Sequence, residues 1–342
     1  MASDNTTCND SSPENHSKII LPNKVTDTSP KTADLQVDTD DSFAGNRNSA
    51  AERKNIDESK PKSLEAQDEM LTAMHQVISS YLSGQNTPPQ PPRLSGKVKL
   101  HLVRHAEGPH NLRSIPEIER VAMLDPGLTR YGHSQSVLFS ERFHAMDKIT
   151  HILCSPLRRS VHTAMVGFKP AIQRGVQVML LPDLREVGGG LCNAGSRIED
   201  LLRDVLKIDE SIRKDFIDTS PCDPQWQIGT EIAETVVKKT KRIGRVKAML
   251  YHLGQISAAD SKEDVEIVVV THSRVVLLLE GRYTRKDEQH SLYNAQYRSY
   301  TITKDEKLTA DNSMYALIET EESKKCVHTF PKDVYENGTY EY

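Results

Sequence analysis

The stretch "HLVRHAEGPHN" at residues 101–111 places three histidines, an arginine and an acid side by side. Such density suits either metal ligation or an imidazole acting alone. Two histidines four apart share a metal ion when they lie on a helix, where positions i and i+4 are neighbours. His101 and His105 lie instead at the end of "KVKLHLV" (97–103), an alternating and apolar run that reads as a strand. With a rise of about 3.3 Å per residue their side chains sit roughly 13 Å apart, too far for one ion. His101 therefore reads as a strand-face packing residue, and the sequence leaves His110 open between surface and pocket. His105 differs, because it falls where the strand stops.

Three other runs read as strands: "KITHILC" (148–154), "GVQVMLL" (175–181) and "VEIVVVT" (265–271). Continuous Val/Ile/Leu stretches suit parallel strands covered by helices on both faces. In open parallel sheets ligands bind beyond the carboxyl ends of the strands, and each of these runs ends in chemically capable residues. "SPLRRSVHTA" (155–164) follows the second, with Ser155 as an N-cap and Pro156 as the first helical residue. That puts Arg158 and Arg159 in the first helical turn, a place suited to an anion. Glu186 lies just past the third run in "PDLREVGGG" (182–190), and His272 lies at the tip of the fourth in "THS" (271–273). Arg104 adds a guanidinium beside His105.

Two histidines, several arginines and a carboxylate at one edge of a sheet suit phosphoryl transfer. Guanidinium groups match phosphoryl geometry and stabilise its charge. They also oppose protonation of a nearby imidazole, which keeps His105 neutral and nucleophilic. Glu186 can protonate the departing oxygen. No metal or cofactor is required by this set. The triple glycine at 188–190 reads as a turn, since no G-K-[ST] follows it.

The rest of the chain frames this domain. The chain has 342 residues and a formal net charge of -4, which argues against a nucleic-acid binder or a polybasic membrane anchor. Residues 1–62 are rich in Ser, Thr, Asn, Asp and Lys, and Phe43 is the one aromatic before Tyr81; this segment is expected to be disordered. Residues 64–82 read as an amphipathic helix, with Leu71, Met74, Ile78 and Leu82 as its stripe and Gly84 as its stop. The helix is expected to pack on its own domain; the alternative is a protein partner. The Pro-rich "NTPPQPPR" closes this segment (63–93), and residues 94–342 form the main domain. Between Cys192 and Ser261 a mainly helical insertion is expected, striped by Ile232, Val236, Ile243, Val246 and Leu250. Its "KKTKR" (238–242) resembles a nuclear-import tract but reads more simply as a solvated helix face. Five dispersed cysteines, no apolar leader and no membrane-length apolar run point to a cytoplasmic protein, with a nuclear one as the alternative.

The motifs together resemble those of the histidine phosphatase superfamily, the phosphoglycerate-mutase-like fold. "RHAEGPHN" resembles the opening motif at Arg104, His105, Glu107 and Asn111, with Ala106 where glycine is usual. "LTRYGHSQ" (128–135) resembles L-T-x-x-G-x-x-Q, and "SPLRRSVHTA" resembles S-P-L-x-R-x-x-x-T-A, which assigns phosphate binding to Arg159. "LRE" places the proton donor at Glu186. "VVVTHS" carries the second histidine, His272, with Ser273 where glycine is usual. The resemblance covers about residues 97–320, and "LREVGGGLCNAGS" is most similar to fungal and plant members. It implies a three-layer α/β/α sandwich with a mostly parallel sheet and a helical insertion over the active site. It implies a small phosphorylated substrate and a phosphohistidine on His105, with Arg104, Arg159 and His272 holding the phosphoryl oxygens. Asn111 is a further phosphate-pocket residue and Glu107 a rival proton donor. "REVGGG" lacks the aromatic of the mutase segment, which favours a phosphatase. A mutase, and a weakly active regulatory protein on the same fold, are the alternatives.

Overall fold

The computed structural model describes residues 62–83, 97–260, 264–282, 284–304 and 314–325. The leader expected to be disordered and the Pro-rich linker lie outside these residues. The central strand β5 (Val265–Thr271) is wholly buried, as its apolar run Ile267–Val270 requires; its one carboxylate, Glu266, is buried against His101. Val265, Ile267 and Val269 face one core, while Val268 and Val270 face another. Both faces are thus covered, and the result is three layers.

The first layer comprises α1 (Lys62–Leu82), α7 (Val236–Asp260) and α8 (Ser273–Leu279). The other face carries α3 (Arg130–Arg142), α4 (Arg158–Gly167), α5 (Lys169–Gln173) and α6 (Ile198–Val205). Between them lies one sheet built from β1 (Val98–Arg104), β2 (Ile149–Cys154), β3 (Val178–Leu180), β4 (Ile217–Asp218), β5, β6 (Tyr297–Lys304) and β7 (Tyr315–Glu319). The strand order is β4-β3-β2-β5-β1-β6-β7. The first five strands in this order pair in parallel, while β6 and β7 extend the sheet antiparallel. Two short helices, α2 (Glu117–Ala122) and α9 (Glu321–Lys325), complete the described α-helices. None of the described helices is long and apolar enough to cross a membrane.

Several sequence expectations change. In α1 the buried face is Met74, Val77, Ile78 and Tyr81, whereas Leu82 is 42% exposed at the helix end. The helix joins the same core cluster as β1, β5 and α7. The 192–261 segment is not simply helical, since it also contributes β4 to the sheet edge. Ile232 and Val236 are exposed because α7 begins only at Val236; Ile243, Val246 and Leu250 form its buried stripe. Arg242, placed on a solvated face by its charged neighbours, is buried and paired with Glu234. Its guanidinium also donates to the carbonyls of Asp183 and Arg185, which fixes the segment leading to Glu186.

Candidate active site

Parallel register brings the two histidines together. Arg104 of β1 lies opposite Thr271 of β5, and the His105 amide donates to the Thr271 carbonyl at 2.9 Å. The next residues, His105 and His272, therefore leave the sheet side by side. Their ring centroids are 5.1 Å apart and inclined at 60°. Both rings are buried, at 2% and 0% exposure.

Hydrogen bonds set the imidazole of His105. Its Nδ1 lies 2.7 Å from the Ala106 carbonyl, which can only accept. The proton is then on Nδ1, and Nε2 carries the free lone pair. Burial pushes the proton affinity of His105 well below the ordinary imidazole range, and Arg159, His272, His110 and Arg104 push it the same way. His272 is lowered likewise, by burial first and then Arg159. Its Nε2 lies 2.8 Å from Ser155 Oγ, which also receives the Leu157 amide at 3.4 Å. Ser160 Oγ lies 3.4 Å from the same nitrogen; donation from these hydroxyls to Nε2 would place the ring proton on Nδ1, a buried atom with no partner among the described residues. Ser155 thus orients His272 and is not the N-cap of α4. That helix starts at Arg158, and the Asp125 carboxylate accepts from the Arg158 amide at 3.0 Å.

Two guanidiniums face the histidines. Arg159 is 1% exposed; its Nη1 donates to the Cys192 carbonyl at 2.7 Å and its Nη2 to Asn193 Oδ1 at 2.9 Å. Asn193 Nδ2 in turn donates to the Gly188 carbonyl at 2.9 Å, so the arginine is clamped to the loop that follows Glu186. Arg104 donates to the Leu292 carbonyl at 2.7 Å. Burial drags its proton affinity down to about 10, against the nearby Glu186 charge, which raises it. The ion pairs of this helix start, to Asp125 and Asp204, are made by Arg158; Arg104 and Arg159 form none among the described residues, and the Nε of each is buried without a partner. A buried and a half-buried cation without contact anions, beside an unpartnered imidazole nitrogen, make a site that is satisfied by an incoming anion.

The two acids are placed differently. Glu186 acts electrostatically on both Arg104 and Arg159, and its Oε1 accepts from the Val187 amide at 2.8 Å. Glu107 instead accepts from the Thr129 hydroxyl at 2.8 Å, while its amide donates to Gln135 Oε1 at 2.9 Å. Thr129 also caps α3 through the Gly132 amide. A Cβ on Gly132 would fall 2.0 Å from the Glu107 carbonyl oxygen, so only glycine permits this approach. The "LTRYGHSQ" run is thus a brace for the loop after His105. Asn111 serves the same loop: its Oδ1 accepts from the Gly108 amide at 3.0 Å and from Asn294 at 3.2 Å. Ala106 is fully buried, and its amide donates to Thr163 Oγ1 at 2.9 Å.

His110, left open by the sequence, lies against His105 with ring centroids 5.5 Å apart. Its proton affinity is pushed down to about 2 by burial, Arg159, Arg104 and Arg120. Sequence reading did not single out Ser155 as the partner of His272, nor Asp125 or Asn193. His101 sits inside the sheet, held between Glu266 and Ser299.

Residues 100–309 match the family model described as histidine phosphatase superfamily (branch 1). A curated protein of Schizosaccharomyces pombe, "Probable phosphatase SPAC513.02", is 31% identical over 104 residues, 30% of this chain. The match spans about half of that relative, 47% of its length. Among solved structures, the ecdysone phosphate phosphatase from "Bombix mori" is 17% identical with a TM-score of 0.41, covering 60% of this chain and 89% of its own. A phosphoglycerate mutase from Bacillus anthracis is 15% identical with a TM-score of 0.41, covering 66% of this chain and 93% of its own.

Proposed function

From the premise that the chain belongs to the histidine phosphatase superfamily (branch 1), we propose that it is a phosphatase that hydrolyses a small phosphate monoester through a phosphohistidine on His105. The observation that carries this reading is the pair of buried, neutral imidazoles 5.1 Å apart beside two guanidiniums without contact anions. His105 Nε2 attacks phosphorus while the ester oxygen leaves and takes a proton from Glu186. Water then attacks the phosphohistidine, giving its proton to Glu186 and releasing phosphate. Arg104, Arg159 and the Nδ1–H of His272 bind the phosphoryl oxygens and stabilise their charge in both steps. Asn111 supports the pocket by holding the 105–111 loop. The guanidiniums supply the charge stabilisation, so turnover is expected to persist with chelator.

The test is hydrolysis of p-nitrophenyl phosphate by the full-length chain, with and without chelator. Turnover that survives chelator and disappears in His105→Ala supports the reading. Equal rates in wild type and variant, or complete loss with chelator, overturn it.

A further inference from the structure

A third guanidinium stands beside the 105–111 loop, next to the two that flank the histidines. Arg120 lies on α2, and its Nη1 is 3.4 Å from the carbonyl oxygen of His110. Its charge acts on both His110 and Cys192, so it sits between the 105–111 loop and the Leu191–Asn193 turn that clamps Arg159. The same helix abuts this turn: a Cβ on Gly190 would meet the Val121 carbonyl at 3.1 Å. Arg120 forms no ion pair among the described residues, and its Nε is buried without a partner. Glu117 and Glu119 of the same helix are exposed to solvent.

His110 presents a second unsatisfied group. Its Nδ1 is buried and unpartnered, and its ring is held by Gly108, where a Cβ would fall 2.8 Å from His110 Cε1. A phosphate monoester carries two negative charges, which Arg104 and Arg159 already match. Arg120 is then a further cation without a counter-charge, and the adjoining His110 adds a further unsatisfied ring nitrogen.

Resting on the phosphatase reading above, we propose that Arg120 and the His110 imidazole form a second anion subsite beside the phosphoryl pocket, so that the ester cleaved carries a carboxylate or a second phosphate on its alcohol portion. Arg120 binds that group by charge-assisted hydrogen bonds, and His110 hydrogen-bonds to it. The subsite selects the substrate; it takes no part in the bonds made and broken.

Three esters of matched size test this in the full-length protein. Ethyl phosphate has an apolar tail, phosphoglycolate a carboxylate in its place, and ethane-1,2-diol bisphosphate a second phosphate. The wild type should favour one of the two anionic-tailed esters over ethyl phosphate by about tenfold or more in kcat/KM, the reach of one charge-assisted hydrogen bond. Which of the two is favoured identifies the group. Arg120→Gln should bring that ratio to within about threefold of unity, and Arg120→Lys should keep most of it, since it keeps the charge. A wild-type ratio near one overturns the proposal. So does a ratio that survives in Arg120→Gln, including an equal loss on all three esters, which would put Arg120 on the phosphoryl group or in the fold. If ethyl phosphate is hydrolysed in a His105-dependent manner while the ratio fails, the subsite alone is wrong. If none of the esters is turned over, the phosphatase reading falls and the subsite with it.

Discussion

Glu107 gives its carboxylate to the Thr129 hydroxyl at 2.8 Å, whereas Glu186 lies in the field of both pocket arginines. The acid nearer to His105 in sequence is therefore the brace, and the distant one is the candidate proton donor. The difference has a kinetic signature, because a proton donor matters only when the leaving group needs one. Glu186→Gln should lower kcat/KM, which reports phosphoryl transfer to His105 and not the hydrolysis step common to all esters, by about 100-fold or more on an alkyl phosphate such as ethyl phosphate, within the range typical of general-acid loss. On p-nitrophenyl phosphate, whose phenolate leaves unaided, the loss should be much smaller. Equal losses on both substrates would contradict the role. Asn193 can be tested in the same way. Its side chain holds Arg159 Nη2 without neutralising it. Asn193→Asp keeps the acceptor but adds a charge that competes with substrate. Inhibition by inorganic phosphate should weaken about tenfold, the worth of one charge-assisted contact. Unchanged inhibition would show that Asn193 does not set the arginine.

Two elements explain why the site forms where it does. The in-register pairing of β1 with β5 places His105 and His272 at adjacent strand ends, and α3 locks the loop that follows. This part was legible, because the Val/Ile runs announce buried parallel strands and the chemical residues follow each run directly. What the sequence hid depends on convergence of distant segments. Ser155 reads locally as a helix cap, yet its hydroxyl finds His272 across the sheet. Asn193 and Asp125 act through loops with no periodic signal. The strands β6 and β7 escaped because their polar alternation suits an antiparallel sheet edge, not a buried parallel strand. β4 is only two residues long and has no pattern to read. At this scale Gly132→Ala is the sharpest probe. The added methyl meets backbone, so α3 must shift from the loop. A loss of roughly 1–3 kcal/mol is expected, in the range of overpacking, read as a lower urea midpoint. An unchanged midpoint would mean that the close approach is not maintained.

For the whole molecule, burial of imidazoles ties stability to pH. His105, His110, His151 and His272 are all held below the ordinary imidazole range, chiefly by burial. The unfolded chain binds their protons near the ordinary value of about 6.5, while the folded chain does not. Their contribution is complete above about pH 6.5 and is lost as the pH falls below it. His151 stays neutral in the fold to about 4 and His110 to about 2, so the loss continues through mild acid. Between about pH 7 and pH 5.5 each imidazole costs roughly 1 kcal/mol. Urea unfolding should show a drop of several-fold that amount, and a flat profile would contradict the buried neutral state. The same scale includes α1, whose Met74, Val77, Ile78 and Tyr81 complete the core against α7. Ile78→Ala should cost about 2–5 kcal/mol, as a fully buried isoleucine does. A change under about 1 kcal/mol would show that the helix is dispensable.

Everything turns on whether His105 accepts the phosphoryl group. The most direct measurement mixes the full-length chain with a phosphate ester carrying labelled phosphorus and quenches within the first turnover. Label should appear on the protein, survive alkali, be released by acid as expected for a phosphoramidate, and be absent from His105→Ala. Turnover with no trapped label in the wild type, or label that persists in His105→Ala, would contradict it.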